Sequence, residues 1–310
     1  MEDNIYSART DLALEINEEA SKKEGRVKGI IVEESHDKDK NIHVTKLVIT
    51  GKNGEKILGR RKGTYITIEA DDLCTAFDGE NKKISSVIAE NLSNLINNNL
   101  KDAKTLENAK VLVTGLGNRN FSADALGPKV VEKILITNPL SFSYEDEEDE
   151  PQNGICAISP GVMAQTGMET SDVIKGIVKV IKPDVIIVID ALAARNTKRL
   201  NRTVQISDKG INPGSGVGNH RVGITDENIG IPVLAIGVPT VVDTTTIVSD
   251  VVYKFLDGYT DEEKYKFLKD VMTPEMMDMY VTPKEIDENI NIISSIIAEA
   301  INMVFYHISR

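Results

Sequence analysis

The chain has 310 residues, 41% of them hydrophobic and 27% charged, with a formal net charge of −12. That is enough to bury a full α/β core, as one large domain or as a core with a small appendage, and the composition is that of a soluble globular protein. The acidic balance argues against direct nucleic-acid binding, which calls for clustered Lys and Arg, but leaves room for a basic protein substrate.

In chain order, the opening stretch is a polar leader running into a helix, with Thr10 or Asp11 as its cap. It lacks the basic, then apolar, pattern of a signal peptide, and no run approaches the roughly 20 apolar residues that cross a bilayer. An intracellular protein without a membrane partner is expected. Residues 27 to 70 turn β-favouring in VKGIIVEE, HVTKLVIT and TYITIE, with GKNGEK as a turn signal, and predict a small antiparallel β region at the edge of the main sheet. From Ile84 to Leu100 the apolar residues fall at helical spacing. Cys74 and Cys156 lie far apart without CxxC spacing and read as small apolar groups.

The organising stretch runs from Val111 to Leu135: a β-favouring run, a turn punctuated by Gly115 and Gly117, then a helical run with Pro128 in its first turn. The acidic run Tyr144–Gly154 is expected to be a solvated loop, with a docking site for a basic partner as the sharper reading. A crossover helix starting near Thr170 or Ser171 and stopping before Pro183 leads to the buried strand VIIVID, Val185 to Asp190. TVQIS and IPVLAIGVP are further strands, INPGSGVGNHR is a Gly-rich loop, and a last helix closes the chain. The segment Asp257–Thr282 fits no pattern. The whole predicts an α/β fold, a mainly parallel central sheet flanked by helices.

Asp124 thus lies in the loop beyond one strand and Asp190 at the end of another, on the edge where open α/β sheets bind ligands. Singly, each is more often a cap or a solvated loop residue. Together they can share a crevice in which one stays protonated while the other ionises, the arrangement that activates water in aspartic peptidases, or they can hold a metal with a third ligand. Other chemistries fit less well. Asn120 stands where a dinucleotide fingerprint needs its third glycine, PGSGVGNHR lacks the Lys-Ser/Thr of a P-loop, and there is neither GxSxG nor HExxH. Of the four histidines, only His220 lies in a loop able to reach the crevice, and nothing positive supports a Ser215–His220 nucleophile pair.

GLGNRNFSADALGP, VIIVIDALAARNTKRLNRTVQISDKGINPGSGVGNHR and IPVLAIGVPTVVDTTTIVSD resemble the core of the germination proteases of spore-forming bacteria, endopeptidases that degrade small acid-soluble spore proteins. The resemblance runs from YSARTDLALE to the C-terminal helix. It implies a core similar to the hydrogenase-maturation peptidases, a homotetramer in the cytoplasm of the forespore and spore, and a zymogen with a short propeptide. It also puts the catalytic aspartates on Asp124 of SADALGP and Asp190 of VIDALAA. Cleavage after an acidic residue and before an apolar residue followed by Ala matches Thr10-Asp11-Leu12-Ala13. Residues 1–11 are then the propeptide, Asp11–Leu12 the processing bond, and 12–310 a single peptidase domain. The maturation peptidases recognise a metal with help from a His, and no His lies in the strand-end motifs here, which favours chemistry without metal or cofactor. The alternatives are a metal-assisted peptidase and a non-enzymatic binding protein on the same core.

Overall fold

The computed structural model describes residues 10–25, 27–37, 41–75, 78–100, 104–137, 154–218, 221–256 and 258–306. The N-terminal third holds α1 (Ala13–Glu24), β1 (Ile30–Asp37), β2 (Ile42–Ile49), α2 (Lys52–Leu58), β3 (Gly63–Ala70) and α3 (Asp78–Asn99). There follow β4 (Lys110–Gly115), α4 (Leu126–Val131), β5 (Gly154–Ile158), α5 (Met163–Thr166), α6 (Thr170–Ile181), β6 (Val185–Ala194) and β7 (Thr203–Ser207). The last part contains α7 (Asp226–Ile229), β8 (Val233–Asp243), α8 (Thr244–Phe255), α9 (Asp261–Val271), α10 (Pro274–Met277), β9 (Tyr280–Val281) and α11 (Ile286–Tyr306).

One sheet runs through the molecule in the order β1-β2-β3-β7-β8-β6-β4-β5, with β9 added beside the far end of β8. Strands β8, β6, β4 and β5 are parallel, whereas β1, β2, β3 and β7 are joined antiparallel. The sheet is therefore mixed, which corrects the expectation of a mainly parallel one. The reason lies in chain length. Only residues 195–202 separate β6 from β7, too short a stretch for the dozen or more residues of a parallel crossover. The antiparallel region expected at 27–70 is present and continuous with the main sheet.

Alternation along the parallel strands explains the layers. Val111, Val113, Val185, Ile187 and Ile189 face one way and pack under α3, α4 and α11. Leu112, Ile186 and Val188 face the other way and meet Ile174 and Ile177 of α6. Helix α11 is long and apolar enough to span a bilayer by composition, yet Ile290, Ile293, Ile296, Ile297 and Ile301 are fully buried in this core. Over the antiparallel half, α1 and α2 cover Leu47, Ile49 and Tyr65.

Several local expectations are corrected. GKNGEK contributes most of α2 rather than a tight turn. The N-cap of α1 is Leu12 and has no side-chain cap; the Thr10 hydroxyl accepts from the Leu12 N–H at 3.0 Å and donates to Glu15 instead. The run after Pro128 forms only the short helix α4, and the unassigned segment after Asp257 folds into α9, α10 and β9. Most of the acidic run Tyr144–Gly154, and His220, fall outside the described residues.

Candidate active site

Strand β4 stops at Gly115, whereas β6 continues to Ala194, and Ile189 is the last β6 residue paired with β4. Asp190 is thus not the end of its strand, as the sequence suggested, but the first β6 residue past the end of β4. The strand continues because its other edge stays paired with β8, through a bulge between Leu192 and Ala193. Asp190 is buried, 6% exposed. Burial pushes its pKa well above the ordinary range, the negative charges of Asp124 and Asp11 add to this, and the Ala191 N–H, donating to Oδ1 at 3.0 Å, opposes it.

Asp124 reaches the same space from a 3₁₀ turn, Ser122–Asp124, over the end of β4. Three contacts hold this turn. The Thr240 hydroxyl of β8 donates to the Ala123 carbonyl at 2.6 Å, Ser122 Oγ meets Asp287 of α11, and the Asn118 N–H donates to Asp124 Oδ2 at 2.8 Å. Gly117, at φ +107°, lets the backbone pass under the carboxylate; a Cβ there would stand 2.0 Å from the Asp124 carbonyl oxygen. Burial raises the Asp124 pKa and the Asn118 N–H opposes the rise.

Both carboxyls line one cavity of about 450 Å³, together with Phe121, Met163, Leu192, Arg221 and Tyr280. Asp11 lines it too. The Asp11 N–H donates to the Ala193 carbonyl at 2.9 Å, and the Asp11 carboxylate accepts from the Ala193 N–H at 3.0 Å and from the Ser215 hydroxyl at 2.6 Å. Gln205 clamps the backbone on both sides of the Asp11–Leu12 bond: Nε2 donates to the Asp11 carbonyl at 3.2 Å, and Oε1 accepts from the Ala13 N–H at 2.7 Å. Leu12 is fully buried beside Leu192, Ala194 and Val242.

Asp11, Leu12, Asp124 and Asp190 therefore gather around one region. Ser215 joins them as a hydroxyl engaged with Asp11. Gln205 went unnoticed in the sequence, as did Arg60, whose Nη2 donates to the Thr10 carbonyl at 3.3 Å; the one available hint was a lone amide in the otherwise β-favouring TVQIS. Among the described residues, no group of three or more His, Cys, Asp and Glu side chains is arranged to hold a metal ion.

A family model described as germination protease matches residues 8–260. The chain belongs to the germination protease family. It is 41% identical to the germination protease of Clostridium perfringens (strain SM101 / Type A), over 96% of this chain and 95% of the relative. Identity to the germination protease of Clostridium acetobutylicum is also 41%, over 96% and 95% of the two chains. For that of Bacillus thuringiensis subsp. konkukian it is 36%, over 97% and 94%. Among solved structures, the [NiFe] hydrogenase maturation protease HycI of Thermococcus kodakarensis KOD1 aligns with a TM-score of 0.32 at 17% identity, over 63% of this chain and 93% of that one. Family membership makes the chain a hydrolase, a peptidase of spore germination.

Proposed function

We propose that the chain is the endopeptidase that begins degradation of small acid-soluble spore proteins in the spore cytoplasm. In this reading it uses Asp124, Asp190 and a water molecule, cuts after Glu or Asp and before an apolar residue followed by Ala, and works as a homotetramer. The observation that carries the reading is the presence of two carboxyls along one cavity, the charge of Asp124 acting on Asp190, which is almost wholly buried with its pKa pushed well up. Asp190 is then the member that keeps its proton and Asp124 the one that ionises first. Asp124 takes a proton from water as the oxygen attacks the peptide carbonyl carbon, and Asp190 gives its proton to the carbonyl oxygen. On collapse of the tetrahedral intermediate the C–N bond breaks, Asp124 gives its proton to the leaving amine, and a hydroxyl of the gem-diol returns a proton to Asp190 as the carboxylic acid product forms.

The same reading makes residues 1–11 a propeptide released by cleavage of Asp11–Leu12. Asp11 pairs with Ala193, three residues beyond Asp190 on β6, or about 10 Å at roughly 3.3 Å per residue. While the segment stays docked, Gln205 holds the backbone on both sides of that bond, which suits a chain that holds itself uncut. The deciding experiment is turnover of a small acid-soluble spore protein by purified Asp124→Asn and Asp190→Asn. Each is expected to lose at least about 10²-fold in kcat, and near-normal turnover by either would remove that residue from the mechanism.

A further inference from the structure

The Asp11 carboxylate sits in a pocket more elaborate than coverage of the cavity requires. Besides the Ala193 N–H and the Ser215 hydroxyl, Arg60 Nη2 lies 3.8 Å from its Oδ1. The two donors and this more distant cation, whose Nη2 donates to the Thr10 carbonyl at 3.3 Å, come from three separate pieces of chain: β6, the Gly-rich loop and the connection between α2 and β3. Gly216 leaves the space clear, since a Cβ there would stand 2.1 Å from Asp11 Oδ2. Without a carboxylate, the Ala193 N–H and Ser215 hydroxyl would lose their partner in a largely buried place, at a cost in free energy. The pocket also stands between two cavities. Asp11 and Leu192 line both the large one holding Asp124 and Asp190 and a second of about 60 Å³, which Arg60, Arg61 and Lys209 also line.

We infer that this pocket is the acidic-side-chain subsite of the peptidase, and that Asp11 fills it as an internal stand-in for substrate. Ser215, Arg60 and the Ala193 N–H are then specificity determinants, holding the carboxylate of the Asp or Glu that precedes the cleaved bond. A substrate backbone bound over Ala191 and Leu192, which line the floor next to Asp190, sends its acidic side chain along β6 toward Ala193. Asp11 enters the same pocket from the opposite end, its own backbone fixed to Ala193 and Gln205. It therefore competes for the carboxylate site while Gln205 holds the backbone on both sides of its following bond. The small cavity beyond gives the longer Glu room; Arg61 there is paired with Asp226 and Glu227, and Lys209 lies 3.7 Å from Asp208, so Arg60 is the cation that faces the carboxylate. The inference rests on the proposed cleavage after an acidic residue by Asp124 and Asp190.

The test uses the full-length chain and two fluorescent decapeptides that differ only in Glu or Gln before a Leu-Ala pair. Binding is read by anisotropy in an Asp190→Asn background, so that cleavage does not intervene. Adding Asp11→Ala is expected to tighten binding of the Glu peptide about tenfold or more and to reveal a Glu-over-Gln preference of similar size, the scale of a lost charge-assisted hydrogen bond. Further addition of Ser215→Ala or Arg60→Met is expected to reduce that preference at least about fivefold, with Arg60→Lys retaining part of it. Thermal melting identifies the variants that fold. Equal binding of the two peptides once Asp11 is removed would overturn the inference, as would a preference that survives both Ser215→Ala and Arg60→Met. Normal turnover by Asp190→Asn alone would instead strike the catalytic reading, so the two failures are distinguishable.

Discussion

Asp11 and Ala193 hold each other at two points, N–H to carbonyl at 2.9 Å and N–H to carboxylate at 3.0 Å. The segment before α1 thereby joins β6 where the pairing with β4 has ended. The Ala193 amide is expected to be strongly protected from hydrogen exchange in the full-length chain. Asp11→Ala should speed its exchange by about tenfold or more, because the carboxylate that accepts its hydrogen bond is gone. Unchanged protection at Ala193 would mean that other contacts hold this region closed.

The raised pKa of Asp190 has a consequence for stability. A carboxyl whose pKa is higher in the folded chain binds more protons folded than unfolded, so stability falls as pH climbs from the ordinary Asp range through the folded pKa. Asp124 shifts in the same direction. Asp190→Asn removes the larger of these penalties. It is expected to melt a few degrees above the parent near neutral pH, with the gap closing below about pH 4. A variant that melts lower than the parent at pH 7 would contradict burial of an uncompensated carboxyl.

Much of this site was legible because its two carboxylates mark local patterns. Asp124 follows a strand and a Gly-punctuated turn, and Asp190 follows five consecutive β-favouring residues. The sequence could not tell that β6 runs on past Asp190, since that depends on β8 still pairing with it after β4 has stopped. Nor could it show the antiparallel placement of β7, which follows from a short connection and not from a pattern within TVQIS. Arg60 and Gln205 were invisible for a simpler reason. Each meets the Thr10–Asp11 backbone or side chain only through the fold, Arg60 from 50 residues beyond Thr10 and Gln205 from 194 residues beyond Asp11.

Gly117→Ala offers a test of positioning that leaves both carboxyls in place. The added methyl would stand 2.9 Å from Asp124 Oδ1 and closer still to its carbonyl, at a φ of +107° that L side chains rarely adopt. The turn must shift, and a displacement of about 1 Å can cost on the order of 10²-fold in rate. Loss of kcat with little change in substrate binding is the expected outcome. Wild-type kcat would show that the position of Asp124 relative to Asp190 is not critical.

Prolonged dialysis against a strong chelator is expected to leave turnover unchanged, because the proposed chemistry uses two carboxyls and water. Loss of activity, restored by one particular divalent ion, would move the mechanism to a metal-assisted peptidase.

Under the proposed self-processing, release of the leader depends on how firmly α1 is fastened. Glu15 is 3% exposed and accepts from the backbone N–H groups of Arg195 at 2.7 Å and Asn196 at 2.9 Å. Arg199, bonded to Glu18 and Glu69, pins the same helix to β3. Cleavage of Asp11–Leu12 requires the bond to leave Gln205 and Leu12 to leave its apolar pocket, so the first turn of α1 must fray before the bond meets the carboxyl pair. Glu15→Ala takes the partner from the N–H groups of half-buried Arg195 and exposed Asn196, a combined cost on the order of 1–3 kcal/mol that the undocked state does not bear. The full-length chain, incubated at mildly acid pH where Asp190 keeps its proton, is expected to yield a product beginning at Leu12. Glu15→Ala should form that product about tenfold faster or more, since 1.4 kcal/mol of eased undocking is already tenfold in the open population. Asp190→Asn should not form it at all. Intact mass and N-terminal sequencing decide the matter: a stable product starting elsewhere, or normal processing by purified Asp190→Asn, would end the claim of self-cleavage at this bond.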